Sequence, residues 1–273
     1  MNNAKTAERF EKNCAKLLQK WDSKRDHPFV SGVLKQLKEH NIDKRRIKTA
    51  HWCGKNGSLD KIIAQDSLGN PSDIVLEMKN GDFFGISVKQ RKSSGCITYK
   101  NPGLGAIGTY LGYDYTFLHD EYEKIIVDHF GLPSCKKDRI SILKNNKDLK
   151  AAVDMQGDIM LHLLLVHPEW GLRVRYEQMP HKSNVDHILS FWMNAKDPVI
   201  PYMIVVEKNG EYTFTDPMQS KRRQKLINSR KLYWGVNKTS LTVDLKTLNI
   251  MAMRIKYTSH KFASSIKFSG EYT

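Results

Sequence analysis

The chain has no close cysteine pair and no long apolar run. Its four cysteines (Cys14, Cys53, Cys96 and Cys135) stand far apart, which excludes a zinc-knuckle spacing. Scattered in this way, they are expected to be reduced and structural. No segment approaches the roughly 18 apolar residues that a membrane span needs, so no membrane partner is expected. Met1-Asn2-Asn3-Ala4-Lys5 runs straight into an amphipathic pattern without an apolar signal core, and an intracellular, cytoplasmic location is the expectation. Acids are scarce as well: 29 Asp and Glu stand against 44 Lys and Arg, a formal net charge of +15.

What is present suffices for a sizeable core, with 273 residues of which 40% are apolar. We expect a single domain over 1–273, with a core at about 1–130 and a basic portion at about 216–273. The basic excess is uneven. Residues 221–273 carry twelve Lys and Arg against Asp244 and Glu271, which is +10 of the +15. A field of that sign draws polyanions, and the interleaved Tyr233, Trp234, Tyr257 and Phe262 favour nucleic acid.

Apolar spacing predicts helices over 4–21, 29–40, 116–130, 147–156 and 184–194. It predicts hairpins at 73–78 with 83–89 and at 200–206 with 211–215, the second turning at Lys208-Asn209-Gly210. Residues 95–112, with five glycines, read as a loop or loosely helical connector. The apolar run 159–166 fits a buried strand or a buried helix equally. The closing stretch reads as a mixture of short strands and basic helical turns. Together these predict a mixed α/β architecture around one sheet.

The first hairpin carries the chemistry. Asp73 lies at its entry and Lys89 near its exit. Strand side chains alternate faces, so Asp73 and Glu77 share one face of the first strand, and Ser87 and Lys89 share one face of the second. A two-residue turn at Asn80-Gly81 would pair Asp73 with Val88 and separate the two polar faces. A three-residue loop, Lys79-Asn80-Gly81, with Gly81 left-handed, pairs Asp73 with Ser87 instead. We expect the second register, which puts Asp73, Glu77, Ser87 and Lys89 on one face. A hard divalent cation takes carboxylate oxygens and waters, so Asp73 is the natural ligand. Lys89 can hold an attacking water and offset negative charge.

Ser72-Asp73, a short spacer and Ser87-Val88-Lys89 resemble the PD-(D/E)xK nuclease superfamily, which includes many type II restriction endonucleases. The resemblance implies a restriction-endonuclease-like mixed central sheet flanked by helices. It implies a Mg2+-dependent endodeoxyribonuclease acting on double-stranded DNA, with an acid supplied by the N-terminal helix, Glu8 or Glu11. Two departures stand out. The leading dipeptide is Ser-Asp, and Ser87 occupies the place of an acid. Glu77 and Glu11 are the candidates to replace it. The site set is therefore Asp73, Lys89, Ser87 and Glu77, with Asp73, Glu77 and Glu11 as metal ligands. Cutting both strands of a duplex calls for a homodimer. The competing readings are a DNA-binding protein without catalysis and a structure-specific nuclease of repair or recombination.

Gln90, Arg91 and Lys92 extend the second strand and are candidate phosphate contacts. Arg222, Arg223, Gln224 and Lys225 lie in the densest basic run and are candidate DNA contacts. Gly103-Leu104-Gly105-Ala106-Ile107-Gly108 matches a dinucleotide-binding string but follows a strand-like segment only loosely, and no acid stands about 20 residues on in a parallel-strand context, so no dinucleotide site is expected. The histidines show no metal-ligand spacing.

Overall fold

The computed structural model describes residues 3–54, 58–64, 70–91, 98–100, 102–193, 196, 198–246, 248–257 and 266–271. Lys92 and Cys96 lie outside the described residues. In chain order the strands are β1 (Ile47–Trp52), β2 (Ile74–Met78), β3 (Phe83–Gln90), β4 (Thr98–Lys100), β5 (Tyr202–Lys208), β6 (Glu211–Thr215), β7 (Tyr233–Asn237), β8 (Ser240–Leu245), β9 (Leu248–Tyr257) and β10 (Ile266–Glu271). The α-helices are α1 (Asn3–Gln19), α2 (Pro28–Glu39), α3 (Ser58–Ile63), α4 (Leu104–Leu111), α5 (Phe117–Lys124), α6 (Lys136–Asn145), α7 (Lys147–Val166), α8 (Leu172–Gln178), α9 (His181–His187) and α10 (Lys221–Ile227). Among the described residues no helix is long and apolar enough to cross a membrane.

The chain divides into two compact units, Met1–Ile97 with Asp186–Ile227, and Thr98–Val185 with Asn228–Thr273. The basic stretch from 216 onward is shared between them. The first unit is built on a five-stranded sheet of order β1-β2-β3-β5-β6. Only β3 and β5 run parallel; the other neighbours are antiparallel. This is the expected mixed α/β architecture, a central sheet flanked by helices. Cys14, Ala15 and Leu18 of α1 and Phe29, Val30, Val33 and Leu37 of α2 pack on Ala50, Ile74, Leu76, Ile86, Val88, Met203 and Val205. Leu59 and Ile63 of α3 cover Val75, with Cys53 and Ile200. β2 and β3 therefore read as nearly continuous apolar runs, as strands covered on both faces do.

The register of the first hairpin follows from its turn. Ile74 faces Ile86, Leu76 faces Phe84 and Glu77 faces Phe83. Met78 N donates to Asp82 O at 2.8 Å, and Gly81 N donates to Met78 O at 3.0 Å. Gly81 takes φ +87°, a left-handed conformation that costs glycine little. The loop is thus the three-residue Lys79-Asn80-Gly81, as expected. The second hairpin closes on Asn209 (φ 53°) and Gly210 (φ 85°) between Lys208 and Glu211, the two-residue turn that suits the twist of the strands.

Gly85 lies in the middle of β3 for want of room. A Cβ there would lie 2.0 Å from Ser72 Oγ and 3.0 Å from the Tyr202 Cβ. Gly85→Ala is expected to lower stability by about 1–3 kcal/mol through overpacking, read from urea unfolding. A variant as stable as the parent chain would refute the close approach.

The second unit holds a sheet of order β4-β10-β9-β8-β7, antiparallel throughout. The closing stretch mixes strands with a basic helical turn, as the sequence reading has it: α10 (Lys221–Ile227) is that turn, and beyond it the described residues of β7 to β10 are strands. Leu241 and Val243 on β8, and Met251, Met253 and Ile255 on β9, are buried at every second position, which is strand periodicity. The undecided run 159–166 is the last part of α7. Ile159 and Leu163 are exposed there, so the helix is apolar on both sides and no face stands out. Residues 95–112 include one regular helix, α4.

Candidate active site

α1 brings an acid to the sheet because its apolar face fixes its rotation. Gln19 Nε2 donates to Ala50 O at 2.9 Å and ties the end of the helix to β1. Glu11 then meets β1, where Trp52 Nε1 donates to its Oε2 at 3.1 Å. The Lys12 ammonium lies 4.3 Å from the centre of the Trp52 ring, a cation–π contact with the same indole.

Asp73 sits just before β2, with its backbone held on both sides. Its N–H donates to Ile86 O at 3.0 Å, and its C=O accepts from Cys53 N at 2.8 Å. The side chain turns toward β3. Oδ2 accepts from Ser87 Oγ at 3.1 Å, from Val88 N at 2.8 Å and from Lys89 Nζ at 3.0 Å. Lys89 and Asp73 expose only 24% and 17% of their side chains, so water screens this pair less than a surface bridge. Ser87 is buried and spends its hydroxyl orienting Asp73. The structure therefore brings Asp73, Ser87 and Lys89 together, with Glu11 close enough to feel both charges.

The electrostatics locate the acids. The Glu11 pKa is raised above its ordinary 4.5, first by burial and then by the Asp73 charge, while the Trp52 hydrogen bond and Lys89 pull it down. The Cys14 thiol is pushed up to about 12, first by burial, then by Glu11, Glu207 and Asp73. Cys53 is likewise pushed up to about 12 by burial and then by Asp73. Both thiols stay protonated at neutral pH and are poor nucleophiles. Carboxylates thus crowd this end of the sheet, and Lys89 is the cation that partners Asp73.

The crowding has a stability consequence. A carboxyl with a raised pKa binds its proton more tightly in the folded chain than in the unfolded one. The contribution of Glu11 is fully present below pH 4.5 and is lost as pH rises through the raised value. Without divalent metal, Glu11→Gln is expected to raise the melting temperature at pH 7 and to flatten its fall above pH 4.5. Thermal melts from pH 4 to 8 check this; a lower melting temperature at pH 7 would count against it.

Glu77 is not brought to this cluster. It shares the face of Asp73 but lies four residues further along β2, where Lys48 Nζ donates to Oε1 and His51 Nε2 lies 2.8 Å from Oε2. Lys48 first and His51 second hold its pKa below the usual carboxylate value. Gln90 is exposed at the end of β3, and Arg91 N donates to Glu207 O at 2.8 Å. Arg222 and Arg223 are half-buried on α10, and Gln224 and Lys225 are exposed. The sequence offered no signal for the parts played by Trp52 and the Val88 amide. An indole on one strand and a backbone N–H on another reach the acids only through the fold.

No family model matches the chain, and no curated protein matches it. Among solved structures, the chain is similar to a crystal structure of restriction endonuclease MspI in complex with its cognate DNA. The two align over 96% of this chain and 87% of that one, at a TM-score of 0.41 and 14% identity.

As a place for a metal ion, the site has few protein ligands. Among the described residues no group of three or more His, Cys, Asp or Glu is placed to hold one. Asp73 and Glu11 offer two carboxylates. That set suits Mg2+, which keeps several waters and is held by one or two carboxylates together with substrate phosphates.

Proposed function

We propose that this chain is a Mg2+-dependent endonuclease that hydrolyses phosphodiester bonds of double-stranded DNA, in the manner of a type II restriction enzyme. The observation that supports this best is the convergence of Lys89 on Asp73, with the Glu11 carboxylate beside them, at one end of a mixed sheet. A positioned lysine next to acids that want a cation is equipment for phosphoryl transfer to water. The +15 net charge favours a polyanionic substrate.

In this reading Asp73 and Glu11 hold the ion. Bound there, it would supply positive charge to the phosphate oxygens and lower the pKa of a water. Asp73 keeps its second oxygen, Oδ1, for the ion, because Ser87, Val88 and Lys89 all take Oδ2. Lys89 holds the attacking water near phosphorus and offsets the charge that grows on the phosphate oxygens. The water oxygen bonds to phosphorus, the bond from phosphorus to the leaving sugar oxygen breaks, and the proton shed by the water is balanced by one gained at that oxygen. Glu77 serves β1 through Lys48 and His51 and takes no part. Gln90, Arg91, Lys92 and the α10 cations Arg222, Arg223 and Lys225, with Gln224, grip the DNA. One such site per chain implies a homodimer for double-strand cutting.

The test is incubation of supercoiled plasmid with the wild-type chain in Mg2+ and in EDTA. Linear product in Mg2+ alone is expected. DNA that is bound but intact in Mg2+ would sink the enzyme reading and leave a non-catalytic DNA-binding protein. Faster cutting of branched than of plain duplex DNA would point to a repair or recombination nuclease.

A further inference from the structure

The second unit carries a recess of about 450 Å3, lined by Tyr176, Asn184, Arg230, Lys231, Tyr233 and Trp234 among others. That volume lies in the roughly 300–1,000 Å3 range of small-ligand pockets. Its wall is aromatic. Trp234 stacks on the buried Tyr176 with ring centres 4.3 Å apart and planes at 20°, so the indole is braced from behind. Tyr233 is 40% exposed, and the Lys231 ammonium lies 5.2 Å from its ring centre. Arg230 and Lys231 are both exposed at the rim. His181 Nε2 lies 2.9 Å from Ser229 O and ties this segment to the start of α9.

Asn184 is a buried polar residue of the lining, only 3% exposed. Its Nδ2 donates to Tyr176 O at 2.7 Å and to Met179 O at 3.5 Å, which assigns the amide orientation, and Oδ1 is left with no donor. A buried acceptor without a partner costs folding free energy. Oδ1 has almost no surface open to water.

We infer that this recess takes one unpaired nucleotide of a DNA strand. The base stacks on Tyr233, and the flanking phosphates pair with Arg230 and Lys231. Aromatic side chains beside cations are how proteins hold bases that are free of their partners, since each base has a face to stack. The inference rests on the DNA reading above and extends it to a second site.

The experiment titrates a short fluorescein-labelled single-stranded oligonucleotide into the protein in EDTA, with a duplex of equal length alongside. Wild type is expected to prefer the single strand. Tyr233→Ala is expected to weaken binding about tenfold. Arg230→Ala is expected to weaken it too and to lower the slope of log K against log salt by about 1. Both residues are exposed, so the fold should tolerate either change. Two variants that bind like wild type would overturn the inference. So would a loss in Arg230→Ala alone, because a general cationic surface needs no ring. Plasmid cleavage in Mg2+ judges the nuclease reading separately. A wild type that cuts while both variants bind normally overturns the recess alone. A wild type that cuts nothing while both variants bind weakly overturns the nuclease alone.

Discussion

Replacing Asp73 with asparagine is expected to lower Mg2+-dependent cleavage at least about a thousandfold while DNA binding in EDTA stays equal or tightens. The direction follows from the donors around the carboxylate. Ser87 Oγ, Val88 N and Lys89 Nζ converge on Oδ2, so the amide introduced by Asp73→Asn keeps its oxygen there. Its NH2 then takes the place of Oδ1, turning a donor toward the position proposed for the cation. The same change removes a negative charge from the surface proposed to meet phosphate, which is why binding is not expected to weaken. It also removes the charge that helps to raise Glu11, so the Glu11 carboxyl should titrate lower, as NMR of that carbon would show. Cleavage within tenfold of wild type would remove Asp73 from the site. Melting curves guard against a trivial loss of fold.

The parts legible in the sequence were those fixed by neighbours in the chain. Asn80-Gly81 and the spacing from Asp73 to Ser87 decided the first hairpin, because turn chemistry is local and sets register. The mixed sheet with flanking helices followed from the order of the patterns. Parity misled where distance mattered. Glu77 shares the face of Asp73, yet four residues along a strand is about 13 Å. It was the register of β1, with Thr49 opposite Glu77, that brought Lys48 and His51 to it. Ser87 read as a missing acid, but its role depends on what lies across the ladder, and there it donates to Asp73. No local signal announced that β5, more than a hundred residues after β3, pairs with it in parallel. In the closing stretch the basic turn of α10 was legible, and beyond it Lys and Arg separate short apolar steps. The period-2 burial of β8 and β9 becomes visible only once the strands are paired.

Lys89→Met is expected to lower cleavage about a hundred- to a thousandfold, comparable to the loss of one preorganised charge donor in an active site. Methionine keeps the length and apolar stem of the side chain, and Asp73 retains Ser87 and Val88 as donors, so the fold should survive. What disappears is the charge that faces Asp73 and that holds the Glu11 pKa down. Two neighbouring carboxyls without that cation disfavour each other's ionised form. The acidic limb of the residual activity should therefore move to higher pH, because a proton is harder to remove from the pair before a cation can bind. A purely structural lysine would lower activity evenly at every pH and leave that limb in place. Lys89→Arg separates charge from shape. The guanidinium keeps the positive charge, so the limb should stay near its wild-type position. Its planar fork presents its donors differently from a compact ammonium, so the rate should still fall. If both variants cut at wild-type rates, Lys89 serves Asp73 only as a structural ion pair.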